Sequence, residues 1–351
     1  MNNYTINNNK TYSRYNNNET NILLDQLKKY YNCNNVCIVN SGQHANYISL
    51  NLLINNISDC NLIYYEETYY ETKQIIDFIK EKNNINLYTI DIFDDENIIN
   101  KFNNELKNKN NILFLESCTN PFGYIFNFDI IPKLRILCNN LYVICDNTWL
   151  SNFIFNPFNY DIDIITISLT KYYANNKCIL GACLMKSDEI YKNFDLYLRI
   201  SGIHNSIYNL NIINKNMDFI YERINTTSNL CKQVLNYLNK NNIIIYHPCL
   251  EMHKSYIFTK KYFKNNLYPS TFLIGFYCYI SNLSELLNDL KIFKIEVSFG
   301  SNNTKIDPHI FYKNNITYLR ISLGYNDCLS NIILGLDELI DKITLNSLNL
   351  V

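Results

Sequence analysis

The chain is poor in the residues that punctuate a backbone. Of 351 residues only 8 are Gly and 6 are Pro, and there is a single Trp. No Gly-rich dinucleotide loop or P-loop occurs, which argues against a nucleotide site of either kind. Asn stands in for Gly and Pro in many loop-like stretches, so turn signals are blurred. Net charge is equally scarce: 31 Lys and Arg against 32 Asp and Glu leave a formal −1. That balance gives no footprint for nucleic acid or an anionic membrane. No apolar run approaches membrane-spanning length, and Met1 to Lys10 is polar and Asn-rich, with no apolar core of a signal peptide. The 12 Cys form no CxxC pair, and most lie in apolar runs, such as Cys145, Cys183 and Cys278. Reduced, buried thiols in a soluble cytoplasmic protein suit this pattern better than a disulfide framework. His247, Cys249 and His253 fall close together, but their spacing fits no standard zinc pattern, so no metal is expected.

What is present reads as alternation. Short apolar runs at 36–39, 62–65, 87–90, 112–115, 141–145, 162–167 and 178–185 are strand candidates. Helix-like stretches lie at 22–31, 44–53, 72–82 and 129–138. Apolar strands alternating with helices imply a mostly parallel central sheet with helices on both faces. After about residue 188 the pattern turns long and helical, most clearly at 219–239. Strand candidates at 272–279 and 318–323 then flank a helical stretch at 283–290, before a last helix at 329–343. The expected division is an N-terminal arm and helix (1–35), an α/β domain (36–212) and a smaller C-terminal α+β domain (213–351), with a soft linker near 190–215.

Ligands of open α/β sheets bind beyond the carboxyl ends of the strands, and four polar motifs sit at such ends. Ser41-Gly42-Gln43 follows the first strand and opens a helix. Glu116 to Pro121 follows ILFL, Asp146-Asn147-Thr148 follows YVIC, and Ser168-Leu169-Thr170-Lys171 follows IITI. Ser41-Gly42-Gln43 reads either as a plain helix N-cap or as backbone N–H groups offered to a phosphate. Ser168 and Thr170 read either as strand-edge polarity or as further phosphate donors. Asp146 ends an apolar strand and must find a partner or shift its pKa. A lysine 25 residues further on, also at a strand exit, suggests a common purpose: a pyridoxal phosphate (PLP) site. Lys171 would form a Schiff base with the cofactor aldehyde, and Asp146 would keep the pyridine nitrogen protonated. Arg320 alternates with apolar residues in a late strand, which suits either capture of a substrate carboxylate or a solvent-facing position.

Taken together, the motifs resemble the Cys/Met-metabolism family of PLP enzymes, the trans-sulfuration enzymes. In chain order they are Tyr12-Ser13-Arg14-Tyr15, Ser41-Gly42-Gln43, Tyr69-Tyr70-Glu71-Thr72, Glu116 to Pro121, Asp146 to Trp149, Ser168 to Tyr172, Ser298-Phe299-Gly300, and Leu319 to Gly324. The resemblance implies the type I aminotransferase-like fold. It also implies roles: Lys171 carries the cofactor and shuttles protons, Asp146 holds the ring nitrogen, and Tyr69 stacks on the ring. Gly42, Gln43, Thr148, Ser168 and Thr170 join in holding the cofactor, while Tyr12 and Arg14 reach the phosphate of a neighbouring subunit. Asn120, Ser298 and Arg320 orient the substrate carboxylate.

The implied activity is β- or γ-elimination, or γ-replacement, on a sulfur-containing or O-activated homoserine-type amino acid, in a homotetramer of two dimers with shared sites. The alternative is a non-catalytic homologue acting as a binding or assembly subunit. Several positions depart from the family pattern. Its two glycines after the stacking tyrosine are Tyr70 and Glu71 here, and the segment between Gly300 and Arg320 is short.

If the arm serves a neighbour's site, Arg14→Ala and Lys171→Ala are each nearly inactive alone and regain part of the activity when co-assembled. A mixed oligomer that exchanges subunits yet shows no rescue rules out sharing.

Overall fold

The apolar runs become strands buried on both faces, and the helices between them supply the cover. The structure is a computed structural model that describes residues 17–57, 59–138, 140–277 and 283–348. Tyr12, Arg14 and Cys278 lie outside the described residues.

The elements in order are α1 (Asn18–Tyr31), β1 (Asn35–Val39), α2 (Gly42–Asn56), β2 (Cys60–Tyr65), α3 (Tyr70–Lys82), β3 (Asn86–Ile90), α4 (Asp95–Lys101), β4 (Asn110–Glu116), α5 (Ile131–Leu137), β5 (Asn140–Asp146), α6 (Ser151–Ile154), β6 (Ile164–Ser168) and β7 (Gly181–Met185). They continue with α7 (Asp188–Ile200), α8 (Ile207–Met217), α9 (Ile220–Lys240), β8 (Ile244–Tyr246), α10 (Tyr256–Tyr262), β9 (Thr271–Phe276), α11 (Leu283–Asn288), β10 (Lys294–Ile295), β11 (Lys305–Lys313), β12 (Ile316–Ser322) and α12 (Leu329–Leu348).

The first sheet has the order β1-β7-β6-β5-β4-β2-β3. The pairs β2–β3, β2–β4, β4–β5 and β5–β6 are parallel, and β7 runs antiparallel between β6 and β1. Successive side chains alternate between two cores. Leu113, Leu115, Val143, Cys145, Ile165 and Ile167 join one apolar cluster, whereas Ile112, Phe114, Ile144 and Ile164 join the other. The expected mostly parallel sheet, covered on both faces, is present. The second sheet, β10-β11-β12-β9-β8, packs α9 and α12 through a third cluster that includes Val234, Leu238, Ile274, Leu319, Leu336 and Leu339.

The segment near 190–215 is largely helical, as the pattern after residue 188 implied: α7 is capped by Ser187, whose hydroxyl accepts the Ile190 N–H, and buries Phe194, while α8 buries Leu210 and Ile213. One stretch differs from expectation. Strand β11 had no clear signal. Its pairing with β12 shifts register between Ile306 and Ile310, around Pro308, so the side-chain alternation that marks a strand is broken there. Among the described residues, no helix is long and apolar enough to cross a membrane.

Candidate active site

Strand register brings the sequence motifs to one edge of the first sheet. Glu116 pairs with Asp146, Asp146 with Thr166, and Gly181 with both Ser168 and Val39. The carboxyl ends of β4, β5 and β6 therefore lie side by side, and that of β1 lies across the amino end of β7. They open on a cavity of about 750 Å³, a size that suits a small ligand. Gly42, Gln43, Tyr69, Asn120, Asp146, Thr148, Ser168, Thr170, Lys171, Ser298 and Arg320 all line it.

Asp146 ends β5. Its Oδ2 accepts the Asn46 side-chain amide at 2.9 Å, and its Oδ1 accepts the Thr148 N–H at 2.8 Å. Both donors are neutral, and burial pushes the carboxyl above its usual range. Asn46 is itself fixed, since the Thr166 hydroxyl donates to its Oδ1 at 2.5 Å. The Thr148 hydroxyl accepts the Ser168 N–H at 2.8 Å and so ties the ends of β5 and β6 together. Beside Asp146, the buried Glu116 accepts the Tyr69 N–H at 2.7 Å. Burial, with the Asp146 charge next to it, drives Glu116 well upward. Its hydrogen bond holds Tyr69 at the cavity wall, at the start of α3.

Lys171 follows β6. Its ammonium donates to Ser298 Oγ at 3.1 Å and lies 5.5 Å from the centre of the Phe299 ring. Burial, then the positive charges of Arg320 and Lys305, lower its pKa to about 8. Ser298 in turn donates to Asn176 Oδ1 at 2.7 Å, so its hydroxyl bridges Lys171 and Asn176. Arg320, on β12, donates from one terminal nitrogen to Asn120 Oδ1 at 2.8 Å and from the other to Asp307. Sequence reasoning missed Asn46, Asn176 and Asp307. Two are asparagines in an Asn-rich chain, and the third lies in the irregular part of β11.

The residues fit pyridoxal phosphate. Ser41 caps α2, accepting the His44 N–H at 3.0 Å, which leaves the first N–H groups of this helix facing the cavity edge. A side chain on Gly42 would bring its Cβ within 2.6 Å of Ser168 Cβ, and one on Gly181 would meet the Ser41 carbonyl oxygen at 2.1 Å. The absence of side chains there lets helix start and strand end close into a cradle for a phosphate. Gln43 buries its Oε1 without a hydrogen-bond partner among the described residues. Thr170 is less free, because its hydroxyl lies 3.3 Å from both the carbonyl and the N–H of Leu180. The carboxylate of Asp146 has no cation beside it among the described residues, and a protonated pyridine nitrogen would supply one. His247 and His253, by contrast, spend both ring nitrogens on backbone groups: Pro269 O and Cys249 N, Phe122 O and Ser255 N.

The family model for Cys/Met metabolism PLP-dependent enzymes matches residues 3–344, and the chain belongs to that family. A cystathionine β-lyase of Schizosaccharomyces pombe is 21% identical over 338 residues, 94% of this chain and 83% of that protein. An L-alanine/L-glutamate racemase of Wolbachia pipientis wMel is 23% identical over 209 residues, covering 58% of this chain but only 51% of that protein. For an L-methionine γ-lyase of Fusobacterium nucleatum subsp. polymorphum the values are 26% identity, 72% and 65%. The chain thus spans about half to two thirds of the length of these last two relatives. Among solved structures, cystathionine γ-synthase from Xanthomonas oryzae pv. oryzae superposes with a TM-score of 0.83 at 16% identity, over 97% of this chain and 90% of that one. The fold is therefore that of the PLP-dependent trans-sulfuration enzymes.

Because the amine must be neutral to react with an aldehyde, cofactor capture by the apoprotein is expected to rise with pH through a midpoint near 8. Stopped-flow absorbance measures this directly. A rise centred near the ordinary lysine value, about 10.4, would contradict the assignment of the depressed amine.

Proposed function

We propose that the chain catalyses β- or γ-elimination, or γ-replacement, on a sulfur-containing or O-activated homoserine-type amino acid, with pyridoxal phosphate bound at Lys171. The observation that carries this is an amine of lowered pKa and an uncompensated carboxylate lining one cavity at the ends of adjacent strands. Bound pyridoxal phosphate supplies an electron sink for charge developing at the substrate α-carbon. Asp146 would keep a proton on the ring nitrogen. The N–H groups of Gly42 and Gln43, with the hydroxyls of Ser168 and Thr170, hold the phosphate, and Thr148 fixes the strand ends behind it.

Lys171 acts as base toward the α-proton and returns a proton later. Its pKa of about 8 leaves part of the amine neutral near neutral pH, as general base catalysis needs. Ser298 and Asn176 aim that amine. Tyr69, which lines the cavity, would hold the cofactor from one side and assist proton movement. Its phenol is held well above its usual pKa by burial and by Glu71, so it stays protonated and able to donate. Arg320 and Asn120 orient the substrate carboxylate. The arm carrying Tyr12 and Arg14 completes a neighbour's phosphate site in a dimer, two of which form a tetramer, and the enzyme works in the cytoplasm.

The mouth sets preference at the distal end of the substrate. Glu66, Glu67 and Glu71 line it together with Tyr70, which is 66% exposed. Lys73 on the same rim donates to the Glu66 carbonyl at 2.9 Å. Three carboxylates against one lysine favour a substrate with a distal ammonium.

A panel of cystathionine, methionine, cysteine and O-acetyl-, O-succinyl- and O-phosphohomoserine, assayed for ammonia, oxo acids and thioethers, tests the activity. Cystathionine is expected to outrank O-succinylhomoserine, and Glu71→Gly to narrow that gap. Turnover of no panel member by the PLP-loaded protein contradicts the proposed reaction. An unchanged ranking in Glu71→Gly contradicts only the role of the mouth.

A further inference from the structure

Asp307 stands where an amino-acid substrate needs an unoccupied cation. Arg320 is buried, with 4% of its side chain exposed, and it lines the cavity together with Asp307 and His309. Its three nitrogens are unequally used. One terminal nitrogen donates to Asn120 Oδ1 at 2.8 Å, the other is ion-paired with Asp307 Oδ2, and Nε is buried with no partner among the described residues. Asp307 is buried as deeply, at 3% exposure, and its second oxygen is also engaged. Asp307 Oδ1 accepts the backbone N–H of His309 at 3.0 Å and lies 2.7 Å from His309 Nδ1. The carboxylate is therefore anchored from behind while it faces the guanidinium. The nearby cation Lys305 is committed elsewhere, to Glu296 at 2.8 Å.

We propose that Asp307 is a specificity-determining residue that occupies the guanidinium of Arg320 and thereby weakens the site's hold on the α-carboxylate of an amino acid. This deepens the functional proposal above and rests on it, since Arg320 is taken as the receiver of that carboxylate. A guanidinium gives its best binding to one carboxylate, through two parallel N–H donors. Here an incoming carboxylate meets a pair that is already neutral, and the guanidinium nitrogen left unpaired among the described residues, Nε, is buried. It must either add a second negative charge beside Asp307 in a poorly solvated place, or displace Asp307 from Arg320. Both cost affinity.

Recognition then shifts to the distal end of the substrate, where Glu66, Glu67 and Glu71 line the mouth. Small neutral amino acids, which have little besides the α-carboxylate to offer, bind poorly. Amino acids with a cationic distal group bind better. Asp307 thus acts as a filter against the small amino acids that are abundant in any cell.

The test uses the PLP-loaded protein and two probes that differ in the carboxylate alone, glycine and glycinamide, with binding read by titration calorimetry. Asp307→Asn keeps the shape and removes the charge, and Asp307→Ser is the second variant should the first fold poorly. In either, glycine is expected to tighten by about tenfold or more while glycinamide changes by less than about twofold. Glycine affinity that stays unchanged or falls in the folded variants overturns the proposal. Arg320→Ala separates the two layers of the argument. If it weakens glycine selectively while the Asp307 variants have no effect, the carboxylate subsite stands and the role of Asp307 is overturned. If it leaves glycine binding intact, the carboxylate subsite and the role of Asp307 are both overturned.

Discussion

Asp146 sits at the end of β5 with Glu116 beside it on β4, and its hydrogen bonds come from neutral groups, the Asn46 amide and the hydroxyl and N–H of Thr148. Burying a carboxylate this way costs more than such bonds return, because the lost hydration of a charge is large. The upward displacement of both carboxyls expresses that cost. A cation delivered to Asp146 reverses it. Much of the surrounding structure serves to keep this carboxylate in place and unneutralised by the protein: Thr166 fixes Asn46, Thr148 ties β5 to β6, and Glu116 is turned to the Tyr69 N–H. Anything that binds the folded state alone stabilises it by mass action, so the cofactor is expected to contribute to folding as well as to chemistry.

The second constraint is closeness. Lys171 and Asp146 lie on loops and strand ends that meet because β5 and β6 pair in parallel, and because Gly42 and Gly181 let the start of α2 approach β6 and β7. From the other domain, β12 brings Arg320 to Asn120, and the Ser298–Asn176 pair brings a hydroxyl to Lys171. The cavity is thus closed by both sheets. Its electrostatics are mixed by design of the chain: a lowered lysine, a paired arginine and an acidic mouth.

The central sheet was legible because its strands are short, apolar and β-branched, and a sheet covered on both faces needs little else. The placement of Lys171 and Asp146 at the cavity was legible for a related reason: each is a charge at the end of an apolar run, where ligands of such sheets bind. Asn46 and Asn176 were not, since asparagine is so common here that no single one stands out. Asp307 was hidden because β11 shifts register beside it. Ser298 shows a finer limit. Its place at the cavity was expected, but not that its hydroxyl bridges Lys171 and Asn176, since that depends on a contact across 122 residues.

The measurement that bears most directly on this account is solvent exchange of the substrate α-proton in Asp146→Asn. An amide is close in shape to the carboxylate but cannot hold a positive charge on the ring nitrogen. Proton NMR in deuterium oxide, on the panel member that the wild type exchanges fastest, gives the rate, and absorbance confirms that the cofactor is bound. The variant is expected to be folded and cofactor-loaded, with exchange lowered by about a hundredfold or more. Exchange at the wild-type rate would contradict the role of Asp146.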